Sequence, residues 1–256
     1  MRVCKNIINN LLQVLPFFIL LFCLFNACSP TNDPEEEVIA SKAYVVVAHA
    51  ATKQNQALDL YINDKPIAQN LNLNNALPTD SNYLFFESGK WPLSFNATNN
   101  SNQVVFSGTA SWVANQAYTL IAIDKDLSIE ASTTALILLD SLPKPIENQT
   151  WVRFVHAAAA IDTAIFTLSL SNDTQTFFTD TLVFAPTAIP NMVSGWQAYP
   201  ADTFDVTLKN AQNNQTYAQQ NKVALQPGQY ITIYAAGNLL NDIKLGFLPV
   251  KTKPAS

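Results

Sequence analysis

Two histidines are the side chains best suited to acid–base or metal chemistry, and they recur in similar surroundings. His49 sits in Ala43-Tyr44-Val45-Val46-Val47-Ala48-His49-Ala50, and His156 in Thr150-Trp151-Val152-Arg153-Phe154-Val155-His156-Ala157. Metal binding needs several convergent His, Cys or carboxylate groups, and neither stretch offers a second histidine. General-base work needs a nucleophile or substrate partner, and no Ser, Cys or Gly-rich motif lies nearby. Each histidine ends an apolar strand, on the face of Val45 and Val47 or of Val152 and Phe154. The reading is a hydrogen-bonding plug for the following loop, so no catalytic, metal-ligating or cofactor-binding residue is assigned and the chain is not expected to be an enzyme. The rival is an enzyme with a site between the domains, marked by a convergent polar cluster that includes His49 or His156. Asp59, Asp162 and Asp205 could pair as acid and base, but carboxylates on outward strand faces are expected to be solvated. Trp91, Trp112, Trp151 and Trp196, extended by Tyr83, Tyr199 and Tyr217, could form a sugar-stacking platform, although large aromatics in small sandwiches fill cores and corners.

The elements that would position these residues are duplicated. Asp59-Leu60-Tyr61-Ile62-Asn63 matches Thr167 to Ser171, and Phe86 to Phe95 matches Tyr199 to Leu208. Asn115-Gln116-Ala117-Tyr118-Thr119-Leu120-Ile121 matches Pro227-Gly228-Gln229-Tyr230-Ile231-Thr232-Ile233. Spacings that drift by a few residues are what loop insertions between fixed strands produce. Leu58, Leu60 and Ile62 alternate with polar residues, as do Phe204, Val206 and Leu208; this two-residue period marks half-buried strands. Asn63-Asp64-Lys65-Pro66 reads as a hairpin turn, Asn172-Asp173 as its counterpart, and Ser88-Gly89 and Pro227-Gly228 as further turns. No stretch has helical periodicity, and Leu136 to Leu139 reads as the last strand of the first unit. Seven or eight short strands over about 100 residues suggest an immunoglobulin-like sandwich. The fold expected is all-β, with tandem sandwiches over 42–141 and 150–250, a linker over 142–149 and a tail over 251–256.

The pattern Val-Arg-X-Val-His-Ala, then an alternating strand, then an aromatic–turn–aromatic hairpin, resembles the family called domain of unknown function 4397. The resemblance covers 43 to about 140 and 150 to about 249, and Val152-Arg153-Phe154-Val155-His156-Ala157 is its nearest match. It implies a β-sandwich fold and tandem copies in exported bacterial proteins, with no family-wide activity. The family continues Ser-Pro-Asp-Ala-Pro after His-Ala, and here Ala51 to Gln54 and Ala158 to Asp162 depart from it. Its Pro-Ala-Gly turn is Glu87-Ser88-Gly89 in one unit and Pro200-Ala201-Asp202 in the other.

The N-terminal residues read as an export address. Arg2 and Lys5 precede an apolar run from Val14 to Phe25, and Asn26-Ala27-Cys28 closes it. The run is shorter than the ~20 residues a spanning helix needs and contains Pro16. Residues 1–27 are thus expected to be a signal peptide. Ala27-Cys28 resembles the lipobox of bacterial lipoproteins, which makes Cys28 the lipid-bearing residue. Cys4 and Cys23 lie inside the signal and no cysteine follows Cys28, so Cys28 has no disulfide partner in an oxidising compartment. Residues 28–41, with Pro30, Pro34 and Glu35-Glu36-Glu37, are expected to be a flexible acidic tether. The acidic run resembles the signal that sends some Gram-negative lipoproteins to the cell surface. Formal net charge is −5, only 13% of residues are charged, and no basic patch exists, which disfavours nucleic-acid partners. No later segment is apolar and long enough to cross a membrane. The expected partners are the outer membrane, through the anchor, and a polysaccharide or an envelope protein. Asp140-Ser141-Leu142, Asp162-Thr163-Ala164 and Asp180-Thr181-Leu182 resemble bacterial O-glycosylation sites.

Overall fold

The computed structural model describes residues 41–79, 83–126, 132–173 and 175–250. The signal peptide, Cys28, almost all of the tether and the 251–256 tail lie outside them. The protein is all-β, and among the described residues the one helical segment is a single 3-10 turn, Ile189–Asn191. The first half contains β1 (Lys42–His49), β2 (Leu58–Ile62), β3 (Lys65–Leu71), β4 (Ala76–Leu77), β5 (Leu84–Glu87), β6 (Gly89–Ala97), β7 (Asn100–Trp112), β8 (Ala117–Asp124) and β9 (Thr133–Leu139). The second contains β10 (Gln149–Ala157), β11 (Thr163–Leu170), β12 (Thr176–Val183), β13 (Gln197–Pro200), β14 (Thr203–Asn210), β15 (Thr216–Ala224), β16 (Tyr230–Ala236) and β17 (Lys244–Val250).

Each half folds into two facing sheets. In the first half an inner sheet runs β4-β1-β8-β9, with β5 also on β1, and an outer sheet runs β3-β2-β6-β7. The second half repeats this as β13-β10-β16-β17 and β12-β11-β14-β15. The pairs β1·β8 and β10·β16 are parallel and all other pairs antiparallel. Turn chemistry sets the hairpins. Asn63 and Asp64 both take positive φ (52° and 58°), the conformation a tight β2–β3 turn needs to match strand twist.

The described residues of the two halves belong to one compact unit. Val45, Val47, Leu58, Leu60 and Phe95 fill the first sandwich. Val152, Phe154, Phe166, Val206 and Ile233 fill the second. A third core lies between the inner sheets, where Val46, Ile121 and Ile123 meet Val155, Tyr234 and Leu248. Both faces of β1, β8, β10 and β16 are therefore covered. This is why apolar residues fill both faces of these strands, interrupted at Thr119, Arg153 and Thr232, whereas the outer strands alternate.

The structural correspondence between halves corrects two of the sequence matches. Val45 pairs with Tyr118, and its counterpart Val152 pairs with Ile231. So Tyr118 corresponds to Ile231 and not to Tyr230. A one-residue slip flips every side chain: Tyr118 enters the first sandwich and Tyr230 the core between halves. The turn residues agree, since Asn115 and Gly228 share positive φ, 61° and 72°. On β2, Leu60 faces Phe95, while Phe166 faces Leu208, which places Leu60 with Phe166. That slip is two residues and keeps the face.

Asp59 is another departure, because it is not solvated. Its carboxylate is buried and accepts from the Asn70 N–H (2.9 Å) and the Thr98 hydroxyl (2.7 Å). Asn70 has φ 55° where the β2–β3 pairing slips, so the carboxylate closes a bulge. Asp205 does the same in the second half, accepting from the Lys222 N–H (2.9 Å; φ 57°) and the Ser171 hydroxyl. These bonds hold the Asp205 carboxyl below its ordinary range. Asp59→Ala leaves two donors without their acceptor and is expected to lower unfolding stability by about 1–3 kcal/mol in urea melts.

Candidate functional site

Both histidines are completely buried. His49 Nδ1 accepts from the Ala51 N–H (3.3 Å) and Nε2 donates to the Gln56 carbonyl (3.2 Å), a pairing that assigns the neutral Nε2–H tautomer. It pins the 50–56 loop, as the plug reading requires. Asp124, also buried, holds the same loop by accepting from the Thr52 N–H (2.9 Å), the Thr52 hydroxyl (2.8 Å) and the Lys53 N–H (3.2 Å). Burial pushes the Asp124 carboxyl up, against these bonds. His156 is held differently. It packs edge-on to Phe166 and Phe184, ring centroids 6.3 and 5.9 Å away, and neither ring nitrogen has a hydrogen-bond partner among the described residues.

Burial lowers both histidines to about 4, partly opposed at His49 by the Gln56 and Gln54 backbone. The folded state thus binds fewer protons than the unfolded chain, whose histidines titrate near 6.5. The stability they contribute is fully present above pH 6.5 and is lost as pH falls from there towards 4. We expect the acid loss between pH 6.5 and 4 to be shallower in His156→Leu than in wild type, as measured by denaturant midpoints; comparing the two cancels the buried carboxyls. Equal slopes would contradict a buried neutral ring.

The convergent polar cluster of the molecule contains neither histidine. It lies between the inner sheets, where Arg153 from β10 meets Asp140, just beyond β9. The Arg153 Nη2–Asp140 Oδ1 distance is 2.5 Å and the two side chains are 4% and 0% exposed. Thr119 (2.9 Å) and Tyr83 (3.1 Å) both donate to Asp140 Oδ2, the oxygen opposite the one Arg153 holds, and Arg153 Nη2 also donates to the Thr119 hydroxyl (2.7 Å). Arg153 Nε donates to Thr232 (2.9 Å), and Trp196 lies over the guanidinium at 4.4 Å. Burial pushes Asp140 up and Arg153 pulls it back; burial likewise raises the Tyr83 phenol. In the first half Val46 stands in place of Arg153, since Val46 pairs with Thr119 as Arg153 pairs with Thr232. The cluster is buried and asymmetric. It ties β10 of the second half to β8 and the end of β9 in the first.

The tryptophans do not gather. Trp112 is buried in the first sandwich, Trp196 stacks edge-on with Tyr230 (5.9 Å), and half-buried Trp91 and Trp151 donate to the Glu87 and Lys144 carbonyls. Tyr83 and Tyr199 are buried, and Tyr217 bonds Gln215. The linker is tied down as well, Tyr230 donating to the Pro143 carbonyl at 2.6 Å. Of the three Asp-Ser/Thr sites, Ser141 and Thr181 are exposed and Thr163 half-buried. Among the described residues no group of three or more His, Cys, Asp or Glu could hold a metal, and no helix is long and apolar enough to cross a membrane.

Open grooves also lie on the surface of the described residues. One, of about 450 Å³, is bounded by the β3–β4 connection and by Phe247 to Pro249 of β17; the sequence reading missed it, although the run Asn70 to Asn75 carries four asparagines. Another, of about 440 Å³, lies beside the linker prolines Pro143 and Pro145.

Paired sheets of this kind in each half define a β-sandwich architecture. The chain belongs to the family described as domain of unknown function (DUF4397), whose model matches residues 30–164. No curated protein matches the chain. Among solved structures it resembles the Bacillus anthracis TIE protein at 8% identity, covering 80% of this chain and 34% of that one, TM-score 0.25. It therefore spans about a third of that protein. A Bacteroides ovatus protein provisionally described as a cell adhesion protein matches at 9% identity over 84% and 98%, TM-score 0.28. CBMbc of family CBM26 from Eubacterium rectale Amy13K, in complex with maltoheptaose, matches at 11% identity over 82% and 98%, TM-score 0.25. Scores this low do not assign a common fold.

Proposed function

We propose that this chain is a cell-envelope lipoprotein, anchored in the outer membrane through Cys28 and displayed at the cell surface on the 28–41 tether. Its β-sandwich body serves as a non-enzymatic binding or structural module that meets a polysaccharide or another envelope protein. The observation that carries the non-enzymatic part is the fate of the reactive groups. Both histidines are buried and neutral, and the Arg153–Asp140 pair is sealed between the halves. Asp59 and Asp205 hold bulges. A second reading, a glycan-binding accessory protein, is favoured by the uncharged groove beside β17.

Cys28→Ser is expected to move the protein from the membrane pellet to the soluble fraction, because a body without its acyl chains has nothing comparable to hold it there. Fractionation followed by immunoblotting reads this directly. Membrane attachment that persists in the variant would overturn the lipid anchor.

A further inference from the structure

We infer that the groove between the β3–β4 connection and β17 binds an uncharged oligosaccharide, an inference that deepens the binding reading above and rests on it. Three properties of the groove lead to this ligand class. First, none of its lining side chains is charged. Its polar lining comes from Asn70, Asn72, Asn74 and Asn75 together with Thr79, and an amide both donates and accepts, as a sugar hydroxyl does. Phe247 and Pro249 line the facing side, offering apolar surface for the C–H face of a sugar ring. A volume of about 450 Å³ lies within the ordinary range of small-ligand sites.

Second, the asparagine loop is rigid before anything binds. Asn70 and Asn74 take positive φ, 55° and 62°. The Asn74 N–H donates to the His49 carbonyl (2.7 Å), the His49 N–H to the Asn75 carbonyl (3.1 Å), and the Asn75 N–H to the Asn72 carbonyl (3.0 Å). Asp59 holds the Asn70 N–H. Buried His49 and Asp59 thus fix the loop from beneath, which reduces the entropy lost when a ligand is bound.

Third, the groove is poorly made for its main competitor, a peptide added as a strand. Strand addition needs free main-chain donors along an edge. Pro249 in β17 and Pro78 directly after β4 each remove a backbone N–H from the walls. Side-chain amides are then the chief polar contacts on offer, and these suit hydroxyls.

The test is isothermal titration of the full chain with maltoheptaose, cellohexaose, xylohexaose and mannohexaose, with oligogalacturonate as the charged control. Binding of at least one neutral chain is expected. Asn72→Ala/Asn75→Ala, at two exposed positions, should weaken it by about tenfold, two hydrogen bonds' worth, with an unchanged melting temperature. Gln219→Ala/Gln220→Ala, on exposed β15, should leave it intact. Neutral-chain binding that survives in the asparagine variant would overturn the groove but leave a glycan-binding protein standing. No binding of any neutral chain, or tighter binding of oligogalacturonate, would overturn the ligand class, while the Cys28 fractionation would still report on the envelope reading.

Discussion

Asp140→Ala is expected to lower unfolding stability by about 3–5 kcal/mol, because it strands the Arg153 guanidinium in the core between the halves. The effect is large for a reason that lies in the partners. Arg153 keeps Thr119, Thr232 and the Trp196 face, but no negative charge, and only 3% of it is exposed. Tyr83 and Thr119 lose an acceptor at the same time. The pair's net worth is a different quantity, since bringing two charges out of water is itself costly. Asp140→Leu combined with Arg153→Met should therefore recover much of the single-variant loss, and the cycle should show strong coupling. Urea melts of the four proteins measure it. A single variant within about 1 kcal/mol of wild type would show that the pair does not hold the halves together.

Trp112→Ala should cost a comparable amount, about 3–5 kcal/mol, for an apolar reason. Trp112 is 2% exposed and receives Phe86 and Tyr118 edge-on, each with ring centroids at 5.1 Å. Removing the indole leaves a cavity lined by two aromatic rings that cannot close over it. Its Nε1–H, however, has no hydrogen-bond partner among the described residues. Trp112→Phe discards that unsatisfied donor together with part of the ring, and should cost well under half as much. The contrast separates packing from polarity. Equal losses in the two variants would show that the N–H matters more than the contacts.

The outer strands were legible because their environment is one-sided. Leu58, Leu60 and Ile62 alternate with polar neighbours, and the structure buries that face. The inner strands carried a different signal. Val45 to Ala48, Leu120 to Ile123 and Ile233 to Ala236 are continuous apolar runs, the mark of strands covered on both faces. Two separate sandwiches would cover only one of those faces, so the core between halves is foreshadowed in these runs. Its polar pin was harder to read. Arg153 belongs to the motif that carries the family resemblance, and Asp140 precedes the linker, but nothing in their spacing says that they meet. The false pairing of Tyr118 with Tyr230 arose because residue identity outweighed parity; turn positions Asn115 and Gly228 fix the true register through their shared backbone conformation. The bulge carboxylates were hidden for a similar reason, as alternation assigns Asp59 to an outward face and cannot show the slip that brings Asn70 over it.

The measurement that tests the account most directly is protease shaving of intact cells, followed with an antibody against the second half. Display at the cell surface predicts rapid loss of the signal while a periplasmic marker stays intact. Protection until the outer membrane is opened would contradict it, placing the body on the inner side of that membrane.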